Sequence, residues 1–350
     1  MRIPHFWAEG RLRRRTDHPV RRQVTLRRWG WSDLSQEDAQ AMADLRVQQA
    51  MDDLLAQGWP HEGNVPRREP KTSYNGAEGV PIREEIVWTQ GPDIGTRNGY
   101  GAVCLNTPDV MIVDLDEEDL RAMPGLFGKT ARWVTAGALL GAFAWTWANT
   151  GLPHVQGGLN LLVIRNLGWA GDFLLRLAAL GFGSYVLAYL WRQVHFARIG
   201  GAVGWLRKQL EQHPGRWALY QTPAGARAIR LDRTMDPTTD ESNALMVALY
   251  SDRLYREMCL RQACYRARLT PKPWRIHLDR WRGPVWPVEG NRLEERKAWV
   301  EQYDKDRASW GACCWVEDLG TGPVDPRCRA VRELHDTHAL APGNDPKGIA

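Results

Sequence analysis

Tyr100-Gly-Ala-Val-Cys-Leu105-Asn-Thr-Pro-Asp-Val110-Met-Ile-Val-Asp114-Leu-Asp116 decides how this chain is read. Residues 100–105 and 110–116 are short apolar runs suited to strands, and Asn106-Thr107-Pro108-Asp109 between them has turn chemistry. The second run ends in acids at i and i+2. Side chains alternate along a strand, so Asp114 and Asp116 project from one face. Two carboxylates that close repel unless a cation bridges them. Oxygen ligands of this kind suit Mg²⁺ or Mn²⁺. In nucleotidyl transfer such a pair holds two metals, one activating the attacking hydroxyl and one bound to the triphosphate. The plainer reading is a strand ending in solvated acids, since Glu117-Glu118-Asp119 follow. The residues alone leave both open.

Upstream, Ser35 is an N-cap with Asp38 three residues on. Ala43, Val47, Ala50 and Leu54 form a helical stripe that Gly58 and Pro60 end. Trp59 to Gly79 reads as a loop around Tyr74-Asn75-Gly76, and Arg83 to Thr89 as a strand. Downstream, Gly204 to Gln212 looks helical, Trp217 to Leu231 looks like two strands around a turn, and Trp310 to Val316 is a further strand. Glu241 to Arg268 lacks Gly and Pro and reads as one long helix, stopped by Pro271-Lys272-Pro273.

Between these polar parts the composition changes. Trp133 to Ala148 is sixteen residues without a charge, and Phe173 to Trp191 is nineteen residues with one, Arg176. A bilayer core asks for roughly 20 apolar residues, about 17 at least. Lys129 and Arg132 precede the pair, and Arg192, His195 and Arg198 follow it, so both flanks would be cytosolic. Gly137, Gly141, Gly181 and Gly183 each cost about 1 kcal/mol in a soluble helix but suit close-packed membrane helices. The alternative is a soluble apolar hairpin buried on a sheet or a second subunit. The expected fold is therefore α+β: a mixed sheet with flanking helices, interrupted by an apolar helical hairpin. Residues 1–130, with a basic N-terminal arm, and 201–340 would form the sheet domain, 131–200 the insertion, and 341–350 a flexible tail.

The 350 residues carry 46 Lys+Arg against 41 Asp+Glu, with 43% apolar residues, which excludes a wholly disordered chain and a polytopic transporter. Six cysteines without a C-x-x-C pair read as thiols of a reducing compartment. Met1 to Gly30 has nine Arg and two acids but no apolar core, so no secretory signal is expected. The expected location is a bacterial inner membrane with the polar domain in the cytoplasm, or the cytoplasm itself if the hairpin is soluble.

Two more stretches carry chemistry. In Tyr220-Gln-Thr222-Pro-Ala-Gly225-Ala-Arg227-Ala-Ile-Arg230-Leu-Asp232, turn amides with Thr222, Gly225, Arg227 and Arg230 could cradle phosphates, unless this is an ordinary hairpin. Ser251 to Arg282 holds eight Arg and one Lys interleaved with Tyr255, Tyr265, Trp274 and Trp281. Arg261, Arg268, Lys272 and Arg275 in it have the composition of a nucleic-acid surface. A face near anionic lipid, or pairing with the chain's own acids, fits equally. Gly125-Leu-Phe-Gly128-Lys129-Thr130 lacks the first glycine of a phosphate loop. Glu333-Leu-His335-Asp336-Thr-His338 lacks a metalloprotease spacing, and Cys313-Cys314 face opposite ways on a strand; all three read as structural.

The stretches Tyr74-Asn-Gly-Ala-Glu-Gly-Val-Pro-Ile-Arg83, Thr96-Arg-Asn-Gly-Tyr100 through Asp116, and Ala267-Arg268-Leu-Thr-Pro-Lys272-Pro-Trp274-Arg275 resemble a family of bacterial proteins often labelled transmembrane proteins, over nearly the whole chain outside the insertion. That family has no established activity. The order apolar-Asp-x-Asp, then Thr-x-x-Gly-x-Arg, then a further Asp is similar to archaeo-eukaryotic primase-type polymerases. The resemblance implies metal ligands at Asp114 and Asp116, with a third acid at Asp232, or at Glu317 or Asp318. It places Arg227 where those enzymes carry a nucleotide-binding histidine. It implies a nucleotidyltransferase using Mg²⁺ or Mn²⁺ on nucleic acid and nucleoside triphosphate, tethered through residues 133–191. A non-enzymatic, membrane-anchored nucleic-acid-binding protein is the alternative, and an oligomer fits either.

Overall fold

The computed structural model describes residues 1–16, 22–56, 67–69, 76–122 and 196–350, with scattered positions between 137 and 194. Most of the loop expected from Trp59 to Gly79 and most of the apolar hairpin lie outside the described residues. The chain forms two units, one from Met1–Asp116 and Leu206–Ala350, the other from Glu117–Trp205. In the second, α2 (Glu117–Ala122) places Arg121 over the Phe196 ring at 4.5 Å; α2 itself is short and acidic at its start.

The first unit begins with an element that the reading of a basic arm did not contain. Strands β1 (Phe6–Thr16) and β2 (Arg22–Ser32) pair antiparallel along their full length, and α1 (Gln36–Ala56) covers one face. Leu12, Val24 and Leu26 of that face meet Val47, Ala50, Met51 and Leu54, and Ala8 meets Ala39 and Ala43. The approach is so close that a Cβ on Gly30 would lie 2.2 Å from the Ala39 carbonyl oxygen, so glycine is obligatory there. Ser35 caps α1, its Oγ accepting from the Asp38 amide at 3.1 Å.

Where one mixed sheet was expected, two four-stranded antiparallel sheets form. One has the order β3 (Glu85–Gln90), β4 (Asp93–Arg97), β5 (Val103–Thr107), β9 (Tyr265–Arg268). The other has the order β10 (Cys314–Leu319), β7 (Trp217–Thr222), β8 (Gly225–Arg230), β6 (Ile112–Asp116). The Asn106–Asp109 turn does not make a hairpin; it hands the chain from the first sheet to the second. The sheets meet at their edge strands β6 and β9. There the buried Tyr255 hydroxyl donates to the Ile112 carbonyl at 2.8 Å and accepts from the Arg266 amide at 3.1 Å.

After α3 (Gly201–Gln212) and the β7–β8 hairpin, the long helix expected over 241–268 is instead α4 (Asp240–Ala248), α5 (Arg253–Gln262) and β9. Tyr250 takes a positive φ of 57°, and Asp252 caps a new helix by accepting from the Tyr255 amide at 2.7 Å. Ala263 then ends α5 in the left-handed conformation. Tyr265 and Ala267 are buried at a spacing of two, a strand pattern that pairing with β5 rewards. Helices α6 (Asn291–Asp306) and α7 (Pro326–Ala339) complete the unit. The expected loose tail is docked: Ala350 N donates to the Gly311 carbonyl at 3.0 Å, and the Ala350 side chain joins Ile276 and Tyr303.

Candidate functional site

Antiparallel register brings several of the expected residues together. Thr222, Gly225 and Asp116 form one row across β7, β8 and β6, and Tyr220, Arg227 and Asp114 form the next row on the same face. With strands about 4.8 Å apart, Asp116 and Thr222 stand about 10 Å apart with no side chain between them, because Gly225 has none.

Arg227 is 2% exposed and Asp114 29%. Arg227 Nε donates to Asp114 Oδ1 at 3.2 Å, and Nη1 donates to the Arg268 carbonyl at 2.9 Å. Nη1 also lies 3.2 Å from His335 Nε2. A guanidinium can only donate, so Nε2 is assigned as the unprotonated nitrogen, and Nδ1–H donates to Asp336 Oδ1 at 2.9 Å. The same oxygen accepts from Tyr220 Oη at 2.7 Å, and Arg332 bridges Asp336 to Asp318. Burial is the largest single effect on the Arg227 pKa and lowers it, but Asp114 together with Cys313 and Tyr255 makes the net direction upward. Burial holds His335 below the usual imidazole range despite its bond to Asp336. Cys313 Sγ, 3.9 Å from His335 Nε2, completes a thiol–imidazole–carboxylate geometry. Burial pushes that thiol up to about 12, so it stays protonated and unreactive.

Facing the two acids is a cluster of cations. Arg268 ends β9, Lys272 precedes the 3₁₀ turn Pro273–Arg275, and Arg275 ends it. Burial, then repulsion by Arg268 and Arg275, lowers the Lys272 pKa, while Asp116 and Asp114 oppose the shift. Burial and Arg268 likewise lower Arg275, with Asp116 opposing. Arg268 Nε and Arg275 Nη1 are buried without a hydrogen-bond partner among the described residues. An unmatched buried donor costs about 1–3 kcal/mol, more on a charged group. Arg216 and Arg296 also have one such nitrogen among the described residues, but Arg268 lies close enough to Arg275 to lower its pKa. Trp274, nearly half exposed, meets Tyr100 edge-on at 5.2 Å, with Lys272 Nζ 5.7 Å from its ring centre.

Other expected residues lie elsewhere. Arg230 leaves β8 on the opposite face from Arg227, pairs with Asp232 at 2.8 and 3.0 Å and lies over Trp217. Neither Arg230 nor Asp232 is therefore brought to the acid pair, because odd and even positions of one strand cannot share a face. Arg230 also holds Asp232 below the ordinary carboxylate range, against the opposing effect of burial. Glu317 pairs with Arg207, and Asp318 with Arg332. Arg261 donates to the Glu78 carbonyl at 3.2 Å. Tyr220, Tyr100 and His335 were not assigned to the site from the sequence; only the strand register and the packing of α7 reveal them.

Among the described residues no group of three or more His, Cys, Asp or Glu is placed to hold a metal ion. Two carboxylates are nonetheless the number Mg²⁺ commonly takes from a protein when substrate phosphates complete its shell. Clefts of about 500 and 620 Å³ are lined by other residues, around Arg332 and around Trp281 respectively. Neither a family model, a curated protein nor a solved structure matches the chain.

Proposed function

We propose that the chain is a metal-dependent nucleotidyltransferase of primase or polymerase type, acting on nucleic acid. One observation carries this reading: the Asp114–Asp116 pair is opposed by Arg268, Lys272 and Arg275, two of which keep unmatched buried donors. Three cations that repel one another beside two acids suit a polyphosphate that arrives with its own divalent ion. Mg²⁺ or Mn²⁺ would supply charge neutralisation and an activated hydroxyl when bound. Asp114 and Asp116 would hold the ion. Lys272 and Arg275 would take the triphosphate, with Arg268 and Trp274 along the nucleic-acid strand. Arg227 positions Asp114 from within the protein; it does not reach substrate itself.

Asp116→Asn is the cleaner test, because Asp114 also neutralises buried Arg227. Mn²⁺ titrated by calorimetry, with and without a nucleoside triphosphate, should give metal-dependent nucleotide binding in the wild type and none in Asp116→Asn. A folded wild type that binds neither ends the enzyme reading. A second reading, non-enzymatic nucleic-acid binding, draws on the fact that Asp114 Oδ1 is already occupied by Arg227 at 3.2 Å. Nucleic-acid affinity indifferent to EDTA, without nucleotide turnover, would select it.

We also propose that residues 133–191 tether the protein to a bacterial inner membrane, with the larger unit in the cytoplasm. Phe182, Tyr185, Tyr189, Leu190, Trp191 and Val194 are all exposed, which supports an apolar environment around them. Among the described residues no helix is long and apolar enough to cross a membrane. Flotation with vesicles that resists carbonate supports the tether; purification without detergent as a monodisperse oligomer replaces it with a subunit interface.

A further inference from the structure

The β1–β2 ribbon carries a second charged surface, independent of the acid pair. Its strands hold seven arginines against one acid, Glu9. The helix on its other face, α1, holds five acids against one arginine, Arg46. Charge is thus segregated across the two layers. The even positions of the ribbon face α1, while Arg11, Arg13, Arg15, Gln23, Thr25 and Arg27 occupy the other face. Arg11, Arg13 and Arg15 are exposed in succession. Arg13 is held by Gln23 and Arg27 by Glu9 at 3.2 Å. Arg11 and Arg15 make no ion pair among the described residues.

We infer that this face binds the phosphate backbone of duplex nucleic acid. Same-face residues of a strand repeat every 6.7 Å or so, a spacing at which successive guanidinium groups can reach separate phosphates of a nucleic-acid strand. A paired ribbon holds that pitch rigidly, and guanidinium groups bind phosphate in a fork. A lipid surface requires no such pitch, and it selects for apolar side chains beside the cations. The outer half of this face, from Arg11 to Arg15 and from Gln23 to Arg27, exposes none.

The full-length protein and Arg11→Gln/Arg13→Gln/Arg15→Gln are titrated with a labelled random-sequence DNA duplex across a salt series. The triple variant should bind about tenfold more weakly or worse, and its slope of log affinity against log salt should be shallower by about 2.7, near 0.9 per lost phosphate contact. Its unfolding midpoint should not move. The triple variant should keep the Mn²⁺-dependent nucleotide binding of the wild type, so a failure here and a failure of the metal site are separable. An unchanged slope overturns the inference. So does binding to phosphatidylserine vesicles without binding to duplex, or a concentration-dependent self-association that the triple variant abolishes, which would place the acidic face of a second α1 on the ribbon.

Discussion

The molecule handles positive charge in two ways. On the ribbon, Arg11, Arg13 and Arg15 stand in solvent, spaced by the pleat, and none of them makes an ion pair among the described residues. Around β6, Arg227, Arg268, Lys272 and Arg275 are wholly or partly buried and face Asp114 and Asp116. Exposed arginines cost the fold little and act through the field they make, which salt weakens. Buried ones must be matched atom by atom, and a nitrogen left unmatched costs stability that a bound anion can restore. The difference separates a surface for affinity from a site for chemistry.

Stability measurements can break this contrast most directly. Arg227→Met strips the partner from Asp114 and His335 and should cost 3–5 kcal/mol or so, whereas Arg13→Gln should stay within about 0.5 kcal/mol. Equal denaturant midpoints for the two variants would erase the distinction. Next in size, Asp116→Asn should lower Mn²⁺-dependent nucleotide affinity at least about a hundredfold, with the far-ultraviolet spectrum unchanged. The acidity of the medium sharpens the comparison further, because the buried network contains an imidazole, His335. Burial keeps the folded-state pKa of His335 below its unfolded value of about 6.5. Below that pH the unfolded chain takes up a proton that the native protein refuses. Stability present at neutral pH should then fall by up to about 1.4 kcal/mol per pH unit. His335→Gln should flatten that loss in urea titrations at pH 7.5 and 5.5. The smallest effect is expected at Lys272. Removing one of three mutually repelling cations in Lys272→Met should leave stability within about 0.5 kcal/mol, or raise it, while nucleotide binding weakens about tenfold. A clear loss of stability there would show that the cluster is internally neutralised and has no need of an anion.

The parts legible in the sequence were those with local signatures. Ser35, Asp38 and the Ala43–Leu54 stripe announced α1, and Pro223 and Gly225 announced the β7–β8 hairpin. The neighbourhood of Asp114 and Asp116 on one face follows from the pleat alone. The ribbon was hidden because its helix-facing side is made of Gly10 and Gly30 as much as of Leu12, Val24 and Leu26, and glycine reads as a strand breaker. The break inside 241–268 was hidden because no Gly or Pro marks it; Asp252 and the left-handed Ala263 make it instead. Asp232 looked like a third acid by order along the chain. Order says nothing of face, and three positions from Arg227 to Arg230 invert it. His335 entered the network through contacts 108 residues apart in sequence, beyond the reach of any local pattern.

The Tyr255 hydroxyl, finally, has a bearing on how this protein stays out of aggregates. Sheets end in rows of open amides and carbonyls that recruit further strands unless something blunts them. Here two sheets turn their ends toward each other, and one phenolic oxygen answers a carbonyl of β6 and an amide of β9 together. With phenylalanine in its place, one group on each edge would lose its partner at once. Part of the defence against strand recruitment along this seam is thus held by one phenolic oxygen, supplied by a helix that belongs to neither sheet, beside the Arg227 and Ser251 donations to the Arg268 and Asp114 carbonyls.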